Sequence, residues 1–285
     1  MDRLPYPSPR QRALLTPLFR ILRAYFRAQA HGLEAIPSDR PVLYVAKHPR
    51  CYLYFETMLL GVFTFFDDPG LPELQVMEKR GTSLHRAPIL GWIRRNMNTI
   101  AATEDGAVEA LAAGRSVLVF PGGARELFGP PDLIRWRGHD GFARIAARAR
   151  APVIPVAIAG ADRQHPWRLR IGRRNTLWLP PLPLPVRLDY WFGAPLVPPP
   201  ADRPDAVARF ADDVAVHTQD LLHVAARARE AVGEARARLP ARPGLVCTPH
   251  RVPLTRSRTS LPPGPGSGSL PARAAGAAGP RRPGR

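Results

Sequence analysis

The sequence predicts an α/β fold, one domain with a largely parallel central sheet flanked by helices. Three apolar runs, 41–46, 116–120 and 153–158, have the length and composition of buried strands. Helix signals lie between them, and strand and helix alternate at short spacing. With 45% of 285 residues apolar the chain can build one sizeable core, while 35 prolines and 23 glycines put part of it outside that core.

Residues 1–30 make a basic amphipathic N-terminal segment. Thr16 followed by Pro17 reads as a helix start, an N-cap and then a first position that needs no N–H. At about 100° per residue Leu18, Phe19, Ile21, Leu22, Tyr25 and Phe26 share one face, and Arg20, Arg23 and Arg27 gather on the other. Such a helix either docks on a core or lies in a membrane interface with its arginines at headgroup level.

The main domain spans 31–239. Its first buried strand, 41–46, runs into Lys47, His48, Pro49 and Arg50. A helix over 103–113 has Glu104 and Asp105 in its first turn and Gly114 as its stop. The strand at 116–120 closes on Pro121, Gly122 and Gly123. Asp140 stands where it can cap a helix that carries Phe142 and Ile145 and ends near Ala151. After the strand at 153–158 come a Pro-Leu-Pro-Leu-Pro stretch at 181–185 and a strand around 186–192. A long amphipathic helix over 205–229 follows, anchored by Val207, Phe210, Val214, Leu221 and Leu222. From 240 to 285 the composition is Pro, Gly, Arg, Ser and Ala with few apolar anchors, that of a disordered tail.

The formal charge of +18 is concentrated at the ends: residues 241–285 hold eight arginines and no acid, and residues 1–30 hold six arginines against Asp2. A basic balance raises both nucleic acid and anionic lipid as partners and does not choose between them. Only Lys47 and Lys79 are lysine, an arginine bias that accompanies abundant Ala, Pro and Gly and has a compositional origin. Cys51 and Cys247 make no disulfide framework, so a reducing compartment is expected. No signal-peptide pattern opens the sequence. The longest apolar run, 51–66, is interrupted by Glu56, so no spanning helix is expected.

Polar residues that follow buried strands gather at the mouth of an α/β sheet, where ligands bind. Two such places stand out, His48 with Glu56 eight residues on, and the turn from Phe120 to Glu126. A neutral imidazole can take a proton from a hydroxyl, and a carboxylate on its other nitrogen fixes the tautomer. The alternative is a histidine merely hydrogen-bonded at a strand end, with Glu56 on a solvated helix face. Gly122 and Gly123 let backbone approach a ligand and aim N–H groups at an anion or oxyanion, and Arg125 adds a fork suited to phosphate or carboxylate. An ordinary tight turn whose Arg125 and Glu126 pair with neighbours is equally open. Nucleophile elbow, phosphate loop, dinucleotide fingerprint and metal-spaced Cys/His cluster are all lacking. Cys51 near His48 has nothing further to support a thiol nucleophile, and His31, His85, His139, His165, His217 and His223 have no comparable setting.

The order of these pieces resembles the glycerophospholipid acyltransferase superfamily, in the branch similar to mono- and diacylglycerol acyltransferases. The matching blocks are Gly32-Leu-Glu-Ala-Ile-Pro37, Pro41-Val-Leu-Tyr-Val-Ala-Lys-His48 and Val117-Leu-Val-Phe-Pro-Gly-Gly-Ala-Arg-Glu126. Arg137-Gly-His-Asp-Gly-Phe-Ala-Arg-Ile-Ala146 and Val153-Ile-Pro-Val-Ala-Ile-Ala-Gly160 complete them, within a resemblance over about 15–230. It implies that 31–239 is an acyltransferase domain with His48 as the base. The donor would be acyl-CoA or acyl carrier protein as co-substrate, with no cofactor or metal, and the acceptor a glycerolipid or lysophospholipid hydroxyl. Gly122, Gly123, Arg125 and Glu126 would mark the acceptor or phosphate side. The family places an Asp after the histidine. Here position 53 is leucine, and Glu56 fits the longer gap of this branch with one extra methylene.

A lipid acceptor gives the Leu18/Phe19/Leu22/Phe26 face a reason to sit at a bilayer, so the expectation is a peripheral protein on the cytoplasmic membrane face, with membrane lipids and the acyl donor as partners and no nucleic acid. The rival readings are a catalytically weak relative that binds lipid or acyl donor, and a basic nucleic-acid-associated protein acting through its arginine-rich tail.

Overall fold

Leu43, Tyr44, Val45 and Ala46 are buried without a break, which a strand requires when both faces of its sheet are covered. This strand lies at the centre of the computed structural model, which describes residues 8–49, 59–66, 71–78, 98–136, 138–171, 175–180 and 182–238. In chain order the elements are α1 (Pro9–Tyr25), β1 (Gln29–His31), β2 (Leu43–Ala46), β3 (Leu74–Glu78), β4 (Thr99–Ala101), α2 (Glu104–Ala112) and β5 (Ser116–Val119). Then come α3 (Gly141–Ala149), β6 (Val153–Ala159), β7 (Trp167–Ile171), β8 (Asn175–Leu179), β9 (Asp189–Phe192) and α4 (Pro204–Arg238).

Among the described residues seven strands form one sheet in the order β1-β9-β6-β2-β5-β3-β4, and β7 with β8 forms a separate antiparallel hairpin. Every pairing in the large sheet is parallel except β6 with β9. One face packs Tyr44, Ile154 and Val156 against Leu15, Phe19 and Leu22 of α1, Phe26 just after it, and Leu59, Leu60, Val62 and Phe63. The other packs Leu43, Val45 and Val117 against Ala107, Ala110 and Leu111 of α2, Phe142, Ile145 and Ala146 of α3, and Val207, Phe210 and Val214 of α4. The α/β sheet expected from the three apolar runs is thus the observed architecture.

Details differ, each for a physical reason. Helix α1 begins at Pro9, so Thr16 is not its cap and Pro17 lies inside it. The missing hydrogen bond and ring clash of an internal proline cost about 3 kcal/mol. Burial of Leu15, Phe19, Leu22 and Phe26 outweighs that, at about 1.5–3 kcal/mol for each large side chain. The same burial corrects the membrane face expected of this helix: Phe19, Leu22 and Phe26 lie in the core and Leu18 packs against it. Asp140 occupies the N-cap position of α3 without a capping bond, because its carboxylate pairs with Arg144 at 2.7 Å. Thr103, inside the helix expected over 103–113, is the N-cap of α2 and accepts from the Gly106 N–H at 3.2 Å. The last strand begins at Asp189 rather than 186 and runs antiparallel, and α4 continues to Arg238. The disordered reading of 240–285 lies outside the described residues, as do Glu56 and Cys51. No described helix is long and apolar enough to cross a membrane.

Candidate active site

Parallel register places the two singled-out segments side by side. Val45 of β2 pairs with Val119 of β5, so three residues further on His48 comes level with Gly122 at the C-terminal edge of the sheet. On the other side Ala46 pairs with Val156 of β6. The histidine therefore stands between two buried strands, 8% exposed.

Its surroundings fix its chemistry. Nδ1 lies 3.0 Å from the Pro49 carbonyl oxygen, which only accepts; Nδ1 therefore carries the hydrogen, and the lone pair of the neutral ring is on Nε2. The Phe120 ring packs at 4.8 Å between centroids. Burial pulls the His48 pKa down to about 4, the Lys47 charge pulls the same way, and the bond to Pro49 opposes them. The imidazole is neutral at physiological pH.

Glu126 ties the two segments together. Its side chain is buried, and Oε2 accepts the backbone N–H of His48 at 2.8 Å. Burial raises its pKa, while the His48 N–H, the Lys47 charge and the Arg135 N–H favour the carboxylate. The Trp136 indole stands close without meeting hydrogen-bond geometry. The glycines of the turn have distinct reasons to be glycine. Gly122 has ordinary backbone angles, but a Cβ there would collide with Cγ and Cδ of Glu126 and lie 2.8 Å from Oε2. Gly123 has open space around it and needs glycine for its φ of +52°. Its N–H donates to the Phe120 carbonyl at 3.0 Å and closes the turn, so it is not one of the N–H groups expected to face a ligand.

Arg125 is exposed and lies 3.3 Å from Nε2 of His139, a histidine that sequence reasoning passed over. His48, Gly122, Gly123 and Glu126 thus come together, Arg125 stands at the rim, and Glu56 lies outside the described residues. Lys47 was missed as a site residue: it is 5% exposed and acts electrostatically on both His48 and Glu126. Its signal was present, since it is one of two lysines in a chain otherwise basic through arginine. Among the described residues no cluster of His, Cys, Asp or Glu is arranged to hold a metal.

The model of the acyltransferase family matches residues 27–159. An uncharacterized protein of Mycobacterium tuberculosis is 32% identical over 160 residues, 54% of this chain and 43% of that one. A protein of Homo sapiens named as a DGAT1/2-independent enzyme synthesizing storage lipids is 25% identical over 180 residues, 59% of this chain and 53% of that one. The chain spans about half the length of the curated relatives it matches. The crystal structure of the 1-acyl-sn-glycerophosphate acyltransferase PlsC from Thermotoga maritima superposes with a TM-score of 0.47 and 20% identity, over 74% of this chain and 80% of that one.

Proposed function

We propose that this chain transfers a fatty acyl group from a thioester, acyl-CoA or acyl carrier protein, to the hydroxyl of a glycerolipid or lysophospholipid, with His48 as general base. The observation that carries the reading is the state of that histidine: neutral, and with its tautomer set by Pro49 so that Nε2 holds the lone pair. The acceptor O–H gives its proton to Nε2 as its oxygen attacks the thioester carbonyl carbon. The tetrahedral oxyanion collapses, the C–S bond breaks, and the imidazolium returns the proton to the leaving thiolate. No covalent enzyme intermediate is needed.

Glu126 supports this chemistry as a positioning residue, since its carboxylate holds the His48 backbone. Lys47 adds positive charge near the point where the oxyanion develops. The family match and a lipid-synthesizing relative support a glycerolipid acceptor.

The test is transfer of labelled acyl groups from long-chain acyl-CoA and acyl carrier protein to a panel of lysophospholipids, mono- and diacylglycerols. His48→Ala is expected to lose about 10²–10⁴-fold in rate while staying folded, and Glu56→Ala shows whether that residue serves as the family carboxylate. Unchanged activity in His48→Ala would sink the assigned base. No transfer by folded wild-type protein to any acceptor would leave a lipid-binding relative.

A further inference from the structure

The α1 face expected to meet a membrane is buried, yet large apolar side chains do stand in solvent, and five of the ten exposed among the described residues lie near one another. Ile21 is 65% exposed and Tyr25, one turn on, 42%. Trp167 at the start of β7 is 65% exposed, and Leu182 and Leu184 in the proline segment are 72% and 36% exposed. Hydrogen bonds bring them to one place. Tyr25 Oη donates to the Pro183 carbonyl at 2.7 Å, and Arg27 donates to the Pro185 carbonyl at 2.6 Å. The Leu184 N–H donates to the Gln164 carbonyl at 2.9 Å, and His165 Nδ1 to the Pro180 carbonyl at 2.9 Å. Trp167 pairs in register with Leu179 at the base of the hairpin. The end of α1, Leu182 and Leu184, and the root of the β7/β8 hairpin therefore come to one side of the molecule.

Charge selects what covers it. The exposed Arg20 and Arg23 lie on α1, whose sequence holds no acidic residue, and the exposed Arg27 follows two residues after its end. Trp, Tyr, Leu and Ile with Arg20, Arg23 and Arg27 on and just after α1 is the composition of a surface that enters the headgroup region of a bilayer and is drawn to anionic lipid. A protein partner of ordinary mixed charge would leave Arg20 without counter-charge on a helix that has no acid of its own.

The surface also faces the right way. Strand β6 leaves the sheet at the edge where His48 sits and runs through Gly160 into the hairpin, and the Leu188 N–H beside this segment donates to the Phe26 carbonyl at the end of α1. We propose that the patch of Ile21, Tyr25, Trp167, Leu182 and Leu184 is the docking surface for an anionic lipid bilayer, holding the C-terminal edge of the sheet toward the lipid that carries the acceptor. Its purpose rests on the acyl-transfer reading; the binding does not.

The full chain is floated with vesicles of phosphatidylcholine alone and of phosphatidylcholine mixed with phosphatidylglycerol, at low and high salt. Binding is expected to the mixed vesicles, weaker with salt, and cut about tenfold or more in Leu182→Glu and in Ile21→Glu. Both positions are largely exposed, so both variants should melt with the wild type. Brominated lipid is expected to quench fluorescence that is present in wild type and missing in Trp167→Phe. Vesicle binding by His48→Ala at wild-type strength would separate docking from catalysis. Undiminished binding in both glutamate variants with no quenching of Trp167 would overturn the proposal and move binding to another segment. A dimer lost in Leu182→Glu without vesicle binding would overturn it in favour of a second copy of the chain, and preference for nucleic acid over the mixed vesicles would overturn it too.

Discussion

Replacing Gly122 by alanine puts a methyl group where the Glu126 side chain already runs, against Cγ and Cδ and 2.8 Å from Oε2. The carboxylate cannot swing into water, because Glu126 is 2% exposed and Oε2 is holding the His48 N–H at 2.8 Å. Overpacking of this kind costs about 1–3 kcal/mol, and a hydrogen bond to a charged group contributes about 1.5–3 kcal/mol. A combined loss of about 3 kcal/mol lowers the melting temperature by roughly 6–12 °C for a domain of this size. Because the displaced group positions the His48 backbone, acyl transfer falls by about 10–100-fold. Gly123→Ala is the control. Its Cβ meets nothing, and only the φ of +52° is penalised, by about 1 kcal/mol with activity retained. Thermal melts and acyl transfer are measured for both variants, for Glu126→Ala and for the Gly122→Ala/Glu126→Ala pair. Removing the Glu126 side chain vacates the contested space, so alanine at 122 should cost less than about 0.5 kcal/mol in that background. A wild-type melt for Gly122→Ala, or full additivity in the double variant, would refute the clamp.

With His48 as the base, the acid limb of kcat/KM should fall near pH 4 rather than near 6.5, and a limb at 6.5 would mean the ring is not buried as described. The same depression makes His48 bind its proton less readily folded than unfolded, so its share of stability is lost as pH drops from about 6.5 to about 4, with Glu126 acting in the opposite sense; acid unfolding of His48→Gln separates the two. Arg229→Ala should cost about 1.5–3 kcal/mol in denaturant unfolding, because it removes a 2.8 Å partner from the buried Asp189, which keeps Arg187 at 2.7 Å and has His31 at 3.7 Å; a loss under about 0.5 kcal/mol would show that water replaces it. Thr103→Ala should cost about 1 kcal/mol through its cap on α2 and leave acyl transfer unchanged, whereas an activity loss would tie α2 to the site.

The sheet was legible where strands are continuously apolar: β2, β5 and β6 came from their runs, and α2 from its acidic first turn and Gly114. Strands β1 and β4, three residues each, carry no such signal and exist only because a neighbour supplies their hydrogen bonds. The β7/β8 hairpin was hidden by its arginines, which interrupt any apolar run. At the site, His48 and the glycine turn could be singled out because chemistry at a strand end depends on residue type. That Glu126 holds the histidine backbone could not, since 78 residues separate the two and nothing local to either predicts the bond.

The sequence by itself determined the α/β class, the placement of a histidine and a glycine turn at strand ends, and a family resemblance that the matched segment supports, because these depend on local apolar runs and on the order of short blocks. Tertiary structure alone decided which face of α1 is exposed, which glycine yields to a side chain and which to a backbone angle, and what holds His48. All three depend on distant residues competing for the same space and the same hydrogen bonds, and periodicity along one segment carries no information about that competition.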